Sequence, residues 1–492
     1  MPKLRLASDF PPATRQAWEA LAAKGLNGAT IDSLASETLD GIRIEPIYAV
    51  AGLTPALMDL VPGEAPFVRG AARSDERGRP WQSLGLHADD DAGSVNVAIR
   101  DDLANGCDGI VLHLAVPGRF GLPPRLDAIG AALDGVDLAG MSIELMAGDQ
   151  FLGATQSLAT LWDEARITDL RRLGAIHADP LGTLAATGAL EDGLWRSLDT
   201  LAHFAASNSG RMPNVRLLLA DARPYHEAGA SEAEELAAML ATLVTYLKHL
   251  DEAGVRPDVA LGRTGIALAA DTDLFLSMAK LRAARGLVWR VMQAAGFGDA
   301  VGGLHVAVST SARMMTRRSP YTSLLRTTIA ATAAVLGGAD SITVLPYTWA
   351  LGRPDAEARR LARNTLNILA EESHLGRVAD PGGGSAYLET LTDALARKAW
   401  QLFQEIEAGG GMTAALTSGA LAERVADTAA RRDRLIAEGK LPLVGVTMFP
   451  EPVEPTLGVE PHPPVAPIER AETRIAPFRP TSLDAQFRGR GA

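Results

Sequence analysis

The chain reads as an α/β protein built on a closed (β/α)8 barrel of the TIM type, and three features of the sequence carry that reading. From about Gly109 onward, short apolar runs alternate with longer stretches of helical periodicity, as parallel strands joined by crossover helices require. Eight such runs stand out, at 110–116, 141–146, 174–178, 215–220, 259–269, 304–309, 342–345 and a short one near Val378. No central break divides them, which suits a closed barrel better than an open sheet.

Taken in order, residues 1–60 read as an arm. Asp9-Phe10-Pro11-Pro12 and Thr14 precede a helix carrying Trp18 and Leu21, and Ile42, Ile44 and Ile47 then alternate like a strand. These apolar residues are too few to form a core, so the arm must lie against the barrel or a partner. The barrel is expected over 61–450. Its clearest helix lies between the fifth and sixth runs, where Leu274, Met278, Leu281, Val288 and Met292 form one stripe. Asp271 or Thr272 is the expected N-cap of that helix, and Gly296 its stop. Later, Leu361, Thr365, Ile368 and Leu369 recur at helical spacing up to a stop at Gly376, and a further helix starts near Thr390 with Leu391, Leu395 and Trp400 on its buried side. Between them, Asp380-Pro381-Gly382-Gly383-Gly384 cannot continue a helix. This glycine run is either a tight turn or a set of backbone amides open to an anion. Helices around 423–438 and an extended strip at 443–448 close the folded part. Residues 451–492, rich in proline, read as an extended C-terminal tail.

Composition excludes several classes of function. With 47% hydrophobic and 22% charged residues the chain is an ordinary globular protein. A formal charge of -12 argues against a nucleic-acid partner, since binding a polyanion needs a basic surface. A single cysteine, Cys107, rules out an internal disulfide and a thiolate-rich metal site, and reads as a small buried hydrophobe. The opening residues lack the apolar run of a signal peptide, and no stretch of about 20 apolar residues offers a membrane span, so a cytoplasmic protein is expected.

Three strings say more. One is Arg363-Asn364-Thr365 with Glu371-Glu372-Ser373, followed by V-x-D-P-x-G-G-S-x-Y-x-E-x-L-T from Val378. A second is Ala279-Lys280-Leu281-Arg282-Ala283-Ala284-Arg285. A third, at the N-terminus, contains Ala13-Thr14-Arg15, Leu39-Asp40-Gly41-Ile42 and Ile44-Glu45-Pro46-Ile47-Tyr48. Together they resemble the barrel domain of the methylmalonyl-CoA mutase family, over roughly 10–450. The third string is most similar to the opening of the small subunit of two-chain members.

The resemblance implies a set of expectations. Family members isomerise an acyl-CoA through a radical made from adenosylcobalamin, with the CoA chain threading a barrel axis lined by small or hydroxyl side chains. A tyrosine after R-P-W wedges the cofactor, a histidine and a glutamine contact the substrate, an arginine pairs with its carboxylate, and a second domain with D-x-H-x-x-G ligates cobalt. This sequence departs from that pattern. Counting from Arg79-Pro80-Trp81 puts Leu86 at the tyrosine; aligning Glu227-Ala228-Gly229-Ala230 puts Pro224 at the histidine; Ser309 falls at the glutamine. His226 is displaced by two residues and reads as structural. Only Arg263, 17 residues before Lys280, matches the arginine, and it suits either a carboxylate or CoA phosphate or an ion pair with a barrel acid. None of the nine histidines has an aspartate two residues before it, so the cobalamin-binding domain is not expected here. His177 with Asp179, and His249 with Asp251, lack a third ligand at metal spacing. Arg313, Arg317 and Arg318 form a basic cluster that reads as a solvated loop or a grip on CoA phosphates.

The implied function is that of the small (beta) subunit of an adenosylcobalamin-dependent methylmalonyl-CoA mutase, itself catalytically silent. No catalytic, cofactor or metal residue is then expected in it. The cofactor would be carried by a large (alpha) catalytic partner, and acyl-CoA is a possible ligand. Two alternatives stand beside it: a catalytic acyl-CoA mutase chain using a separate cobalamin-binding subunit, and an acyl-CoA-binding or regulatory barrel with no mutase partner.

Overall fold

A computed structural model describes residues 14–49, 52, 59–71, 79–451 and 457–487. Eight parallel strands close on themselves: β1 (Gln82–His87), β2 (Gly109–His113), β3 (Ser142–Met146), β4 (Gly174–Ala178), β5 (Val215–Asp221), β6 (Thr264–Ala270), β7 (His305–Thr310) and β8 (Ser341–Thr343). They follow one another around the ring in chain order, and β8 pairs back onto β1 to complete it. The barrel expected from the sequence is therefore present, with three corrections to its strands. The first strand is Gln82–His87, which the apolar-run criterion passes over because Gln82, Ser83, Gly85 and His87 interrupt it. Val378 is not in a strand but in an exposed turn. The run at 259–269 also divides. Pro257 and Asp258 start a short helix, Pro257–Gly262, and β6 begins only at Thr264.

The recognised strings hold the outer helices together. The helix Leu274–Ala294 is capped by Asp273, one residue beyond the expected caps. Its Arg282 is buried, pairing with Asp380 and, at 2.8 Å, with Glu389. Arg285 reaches Asp340 at 2.8 Å. The helix Ala386–Ala408 starts four residues before Thr390 because Ser385 caps it. The glycine run is a tight turn: Gly384 N–H donates to Glu389 at 2.9 Å and Gly383 N–H to the Asp380 carbonyl at 3.0 Å. At Gly382 a Cβ would lie 2.7 Å from Leu388 Cδ2 and 3.0 Å from Met278 Cε, so a larger residue would need both side-chain tips to shift. The preceding helix, Ala356–Asn367, ends in a π turn, Ile368–Glu372, short of Gly376.

The arm divides into two parts. Ile42 and Ile44 pack on the core, and buried Asp40 accepts from Ser231 Oγ at 2.5 Å and Ala233 N–H at 3.2 Å. Burial, with Glu232 nearby, pushes the Asp40 carboxyl up to about 7. The helix Arg15–Gly25 buries no residue, and Leu21 on it is 69% exposed.

The described part of the C-terminal segment is docked on the barrel. Residues 457–487 run around the C-terminal end of the barrel. Glu460 accepts from Arg353 N–H (2.7 Å), His462 stacks on Phe120 (4.8 Å), and the Ala466 carbonyl accepts from Gly118 N–H (2.9 Å). Thr473–Arg474 then pairs antiparallel with Ala189–Leu190. Phe478 meets Tyr225 edge-on at 4.9 Å, and Asp484 accepts from the backbone of Arg317 (2.7 Å) and Arg318 (3.2 Å).

Candidate functional site

In a barrel of this class, ligands meet the chain at the C-terminal ends of the strands and along the axis. Successive residues of a strand face opposite ways, so the axis is lined by alternate positions. Leu84, Val111, Met146, Leu219, Ala267 and Ala307, each from a different strand, form a buried cluster separate from the main core, and Leu86 packs on it half-buried. A cluster shared by six strands of a closed ring and detached from the helix layer is the filling of the axis. Leu84, Val111, Met146 and Leu219 are its larger side chains, and Ala267 and Ala307 its small ones.

A charged group lies within this filling. Glu144 on β3 is buried, accepts from Arg216 at 2.5 Å and meets His177 Nε2 at 3.2 Å. Burial alone would raise the Glu144 carboxyl, but His177 and Arg216 outweigh it and hold it below the usual carboxylate range. His177 Nδ1 faces Met146 Sδ at 3.0 Å, and His305 Nε2 pairs with Ser341 Oγ at 2.9 Å. Burial lowers His305 to about 3, so it is neutral.

At the mouth a second buried network carries His226. Its Nδ1 lies 2.9 Å from Glu235 and its Nε2 2.9 Å from Ser311 Oγ. Burial and the neighbouring Arg313 and Lys280 drive the imidazole well below its ordinary range. The neutral ring therefore donates from Nδ1 to the carboxylate and accepts from the hydroxyl. Glu235 also takes Lys280 at 2.5 Å and the Ala269 N–H at 2.8 Å. Nearby, Asp179 caps the helix Pro180–Thr187 and accepts from Tyr246; burial and Asp221 raise it to about 7.

The residues singled out in the sequence separate in space. Leu86 sits against the axial filling, Ser309 faces inward on β7 at 8% exposure, and Pro224 occupies the first turn of the helix Arg223–Glu227 beyond β5. None brings an ionisable group to the mouth. Arg263 lies at the other end of the barrel, just before β6, where its guanidinium donates to the Pro213 carbonyl. It does not join the other three. His226 is fully buried between Glu235 and Ser311. Of the basic cluster, Arg317 is exposed and Arg318 half-buried, but Arg313 is not solvated: it is 2% exposed and spans Asp271 (2.8 Å) and the carbonyls of His226 and Ala230 (2.9 Å each). His249 bonds the Thr245 carbonyl, and among the described residues no group of His, Cys, Asp or Glu is placed to hold a metal. Cys107 is buried, and burial pushes its thiol up. The group that sequence reasoning missed is Glu144, whose signal was an acid inside the apolar run Ser142–Met146.

Residues 37–481 match the methylmalonyl-CoA mutase family. The chain belongs to that family. The matched span runs through the docked C-terminal segment, beyond the limit of about 450 set by the motifs. The methylmalonyl-CoA mutase small subunit of Streptomyces virginiae is 42% identical over 472 residues, covering 94% of this chain and 75% of the relative. That of Propionibacterium freudenreichii subsp. shermanii is 34% identical over 459 residues, covering 91% and 70%. The methylmalonyl-CoA mutase of Escherichia coli (strain K12) is 31% identical over 455 residues, covering 88% and 64%. Within the mutase family, then, this barrel keeps the motifs that hold its helices together.

Proposed function

We propose that this chain is the small subunit of a heterodimeric, adenosylcobalamin-dependent methylmalonyl-CoA mutase and that it performs no chemistry itself. The complex would interconvert methylmalonyl-CoA and succinyl-CoA in the cytoplasm, with the large subunit carrying the cofactor and the reaction. The observation that carries the reading is the filled axis. Leu84, Val111, Met146 and Leu219, with the Glu144–Arg216–His177 group, occupy the path along which an acyl-CoA would thread. The names of the two small-subunit relatives support the pairing. No helix among the described residues is long and apolar enough to cross a membrane.

The residues present do not fit adenosylcobalamin. His87, His177 and His226 are buried, and His113 and His305 face into the barrel half-buried. His203, His249 and His462 bond backbone carbonyls, and His374 lies in the turn whose Gly376 packs on Pro80 and Trp81 at the far end. The same features disfavour a catalytic chain served by a separate cobalamin protein. Titrating the isolated chain with adenosylcobalamin should leave the visible spectrum that of free cofactor; a stoichiometric change to a histidine-ligated spectrum would contradict the proposal.

A further inference from the structure

Helices on the outside of a barrel usually meet water through charged side chains. The helix Thr322–Leu336 does not. Its only charged residue, Arg326, is buried and donates to Thr316 Oγ1 (2.9 Å) and the Val444 carbonyl (2.7 Å). The helices Leu274–Ala294 and Ala356–Asn367, by contrast, expose Arg290 and Arg360. On the uncharged helix Leu325 (68% exposed) and Ile329 (42%) stand one turn apart, and Tyr321 (47%) precedes them by another turn.

A second apolar element adjoins the start of this helix. The turn at 443–449 is tied to it through the Arg326–Val444 bond and through Gly445, where a Cβ would lie 2.7 Å from Ser319 and 3.2 Å from Thr322. That turn leaves Val444, Met448 and Phe449 exposed, the last at 78%. Phe449 also holds a φ of 51°, a costly conformation for a non-glycine residue. The six side chains are 41–78% exposed and together present an apolar surface on the order of 600 Å². That is at the upper end of the ~300–600 Å² found on monomers, and close to the ~800 Å² per partner of a stable interface.

We propose that this surface, the outer face of Thr322–Leu336 with the turn at 443–449, is where the large mutase subunit docks, through an apolar and uncharged face of its own. The proposal rests on the small-subunit reading above. The lack of charge at the centre of the patch and its size suit a permanently held partner rather than a transient one.

The test is co-expression with a tagged large subunit, comparing the wild-type chain, the double variant Leu325→Asp/Phe449→Asp, and Val97→Asp, which places a charge on a 70%-exposed residue of a different helix. Wild type and Val97→Asp should be retained stoichiometrically. The double variant should be retained at least tenfold less, while unfolding alone at the wild-type denaturant midpoint. Full retention of the double variant overturns the docking proposal and leaves the small-subunit reading standing. Failure of the wild-type chain to be retained overturns that reading. If the isolated wild type is a dimer that the double variant breaks while large-subunit retention survives, the surface belongs to a second copy of this chain and the proposal is wrong.

Discussion

Replacing Glu235 with alanine will cost about 3–5 kcal/mol of folding stability, the range found when one member of a buried ion pair is removed. Glu235 is fully buried and holds three donors at once: Lys280 at 2.5 Å, His226 Nδ1 at 2.9 Å and the Ala269 N–H at 2.8 Å. Its loss strands an ammonium that is itself 0% exposed, together with a ring N–H and a backbone N–H of β6. Each stranded donor costs about 1–3 kcal/mol, and the charged one more. The double substitution Glu235→Leu/Lys280→Met removes both charges and should recover most of the loss, since an apolar pair of similar volume replaces a buried ion pair at little cost. Equilibrium urea unfolding of the three proteins checks this. A Glu235→Ala midpoint equal to wild type would mean that the pair carries no stability.

Phe478→Ala will cost about 3–5 kcal/mol, the range for removing a buried aromatic side chain, although Phe478 lies in a segment with the composition of a free tail. Phe478 is 5% exposed, meets the ring of Tyr225 at 4.9 Å, and donates its N–H to the Ala185 carbonyl at 2.8 Å. The substitution should also speed proteolysis within 457–487, because one anchor of an extended strap is lost while the others, at Glu460, Thr473 and Asp484, remain. An unchanged unfolding midpoint with unchanged proteolysis would show that the segment is not part of the cooperative fold.

Much of this architecture can be read from the sequence because most barrel strands are continuous apolar runs, and buried parallel strands need nothing else. The reading fails where that rule fails. β1 is interrupted by Gln82, Ser83, Gly85 and His87, and Pro257 converts the start of one apparent strand into a helix. Proline content foretells an extended backbone at 457–487 but not what lies beneath it. At the site, motif spacing locates Leu86, Pro224 and Ser309, yet it cannot tell which end of a strand a neighbouring residue occupies. Arg263 consequently appeared beside a substrate and is found at the opposite end, on the Pro213 carbonyl. Arg313 looked like part of a solvated loop because its partners, Asp271 and the carbonyls of His226 and Ala230, are more than forty residues away along the chain. The axial filling becomes visible only once register sets Leu84, Val111, Met146 and Leu219 facing one another.

The most direct test of a silent barrel is mutase turnover by the assembled complex when this chain carries Arg263→Ala or Ser309→Ala, two of the three positions that spacing aligns with substrate contacts. Both complexes must first be shown intact, since dissociation would mimic a loss of chemistry. A lost transition-state contact typically costs ~3 kcal/mol, or ~100-fold in rate. With no chemistry in this chain, turnover should stay within about twofold of wild type, a change well under ~1 kcal/mol. A fall on the order of 100-fold in an intact complex would place catalysis in this barrel and contradict the account.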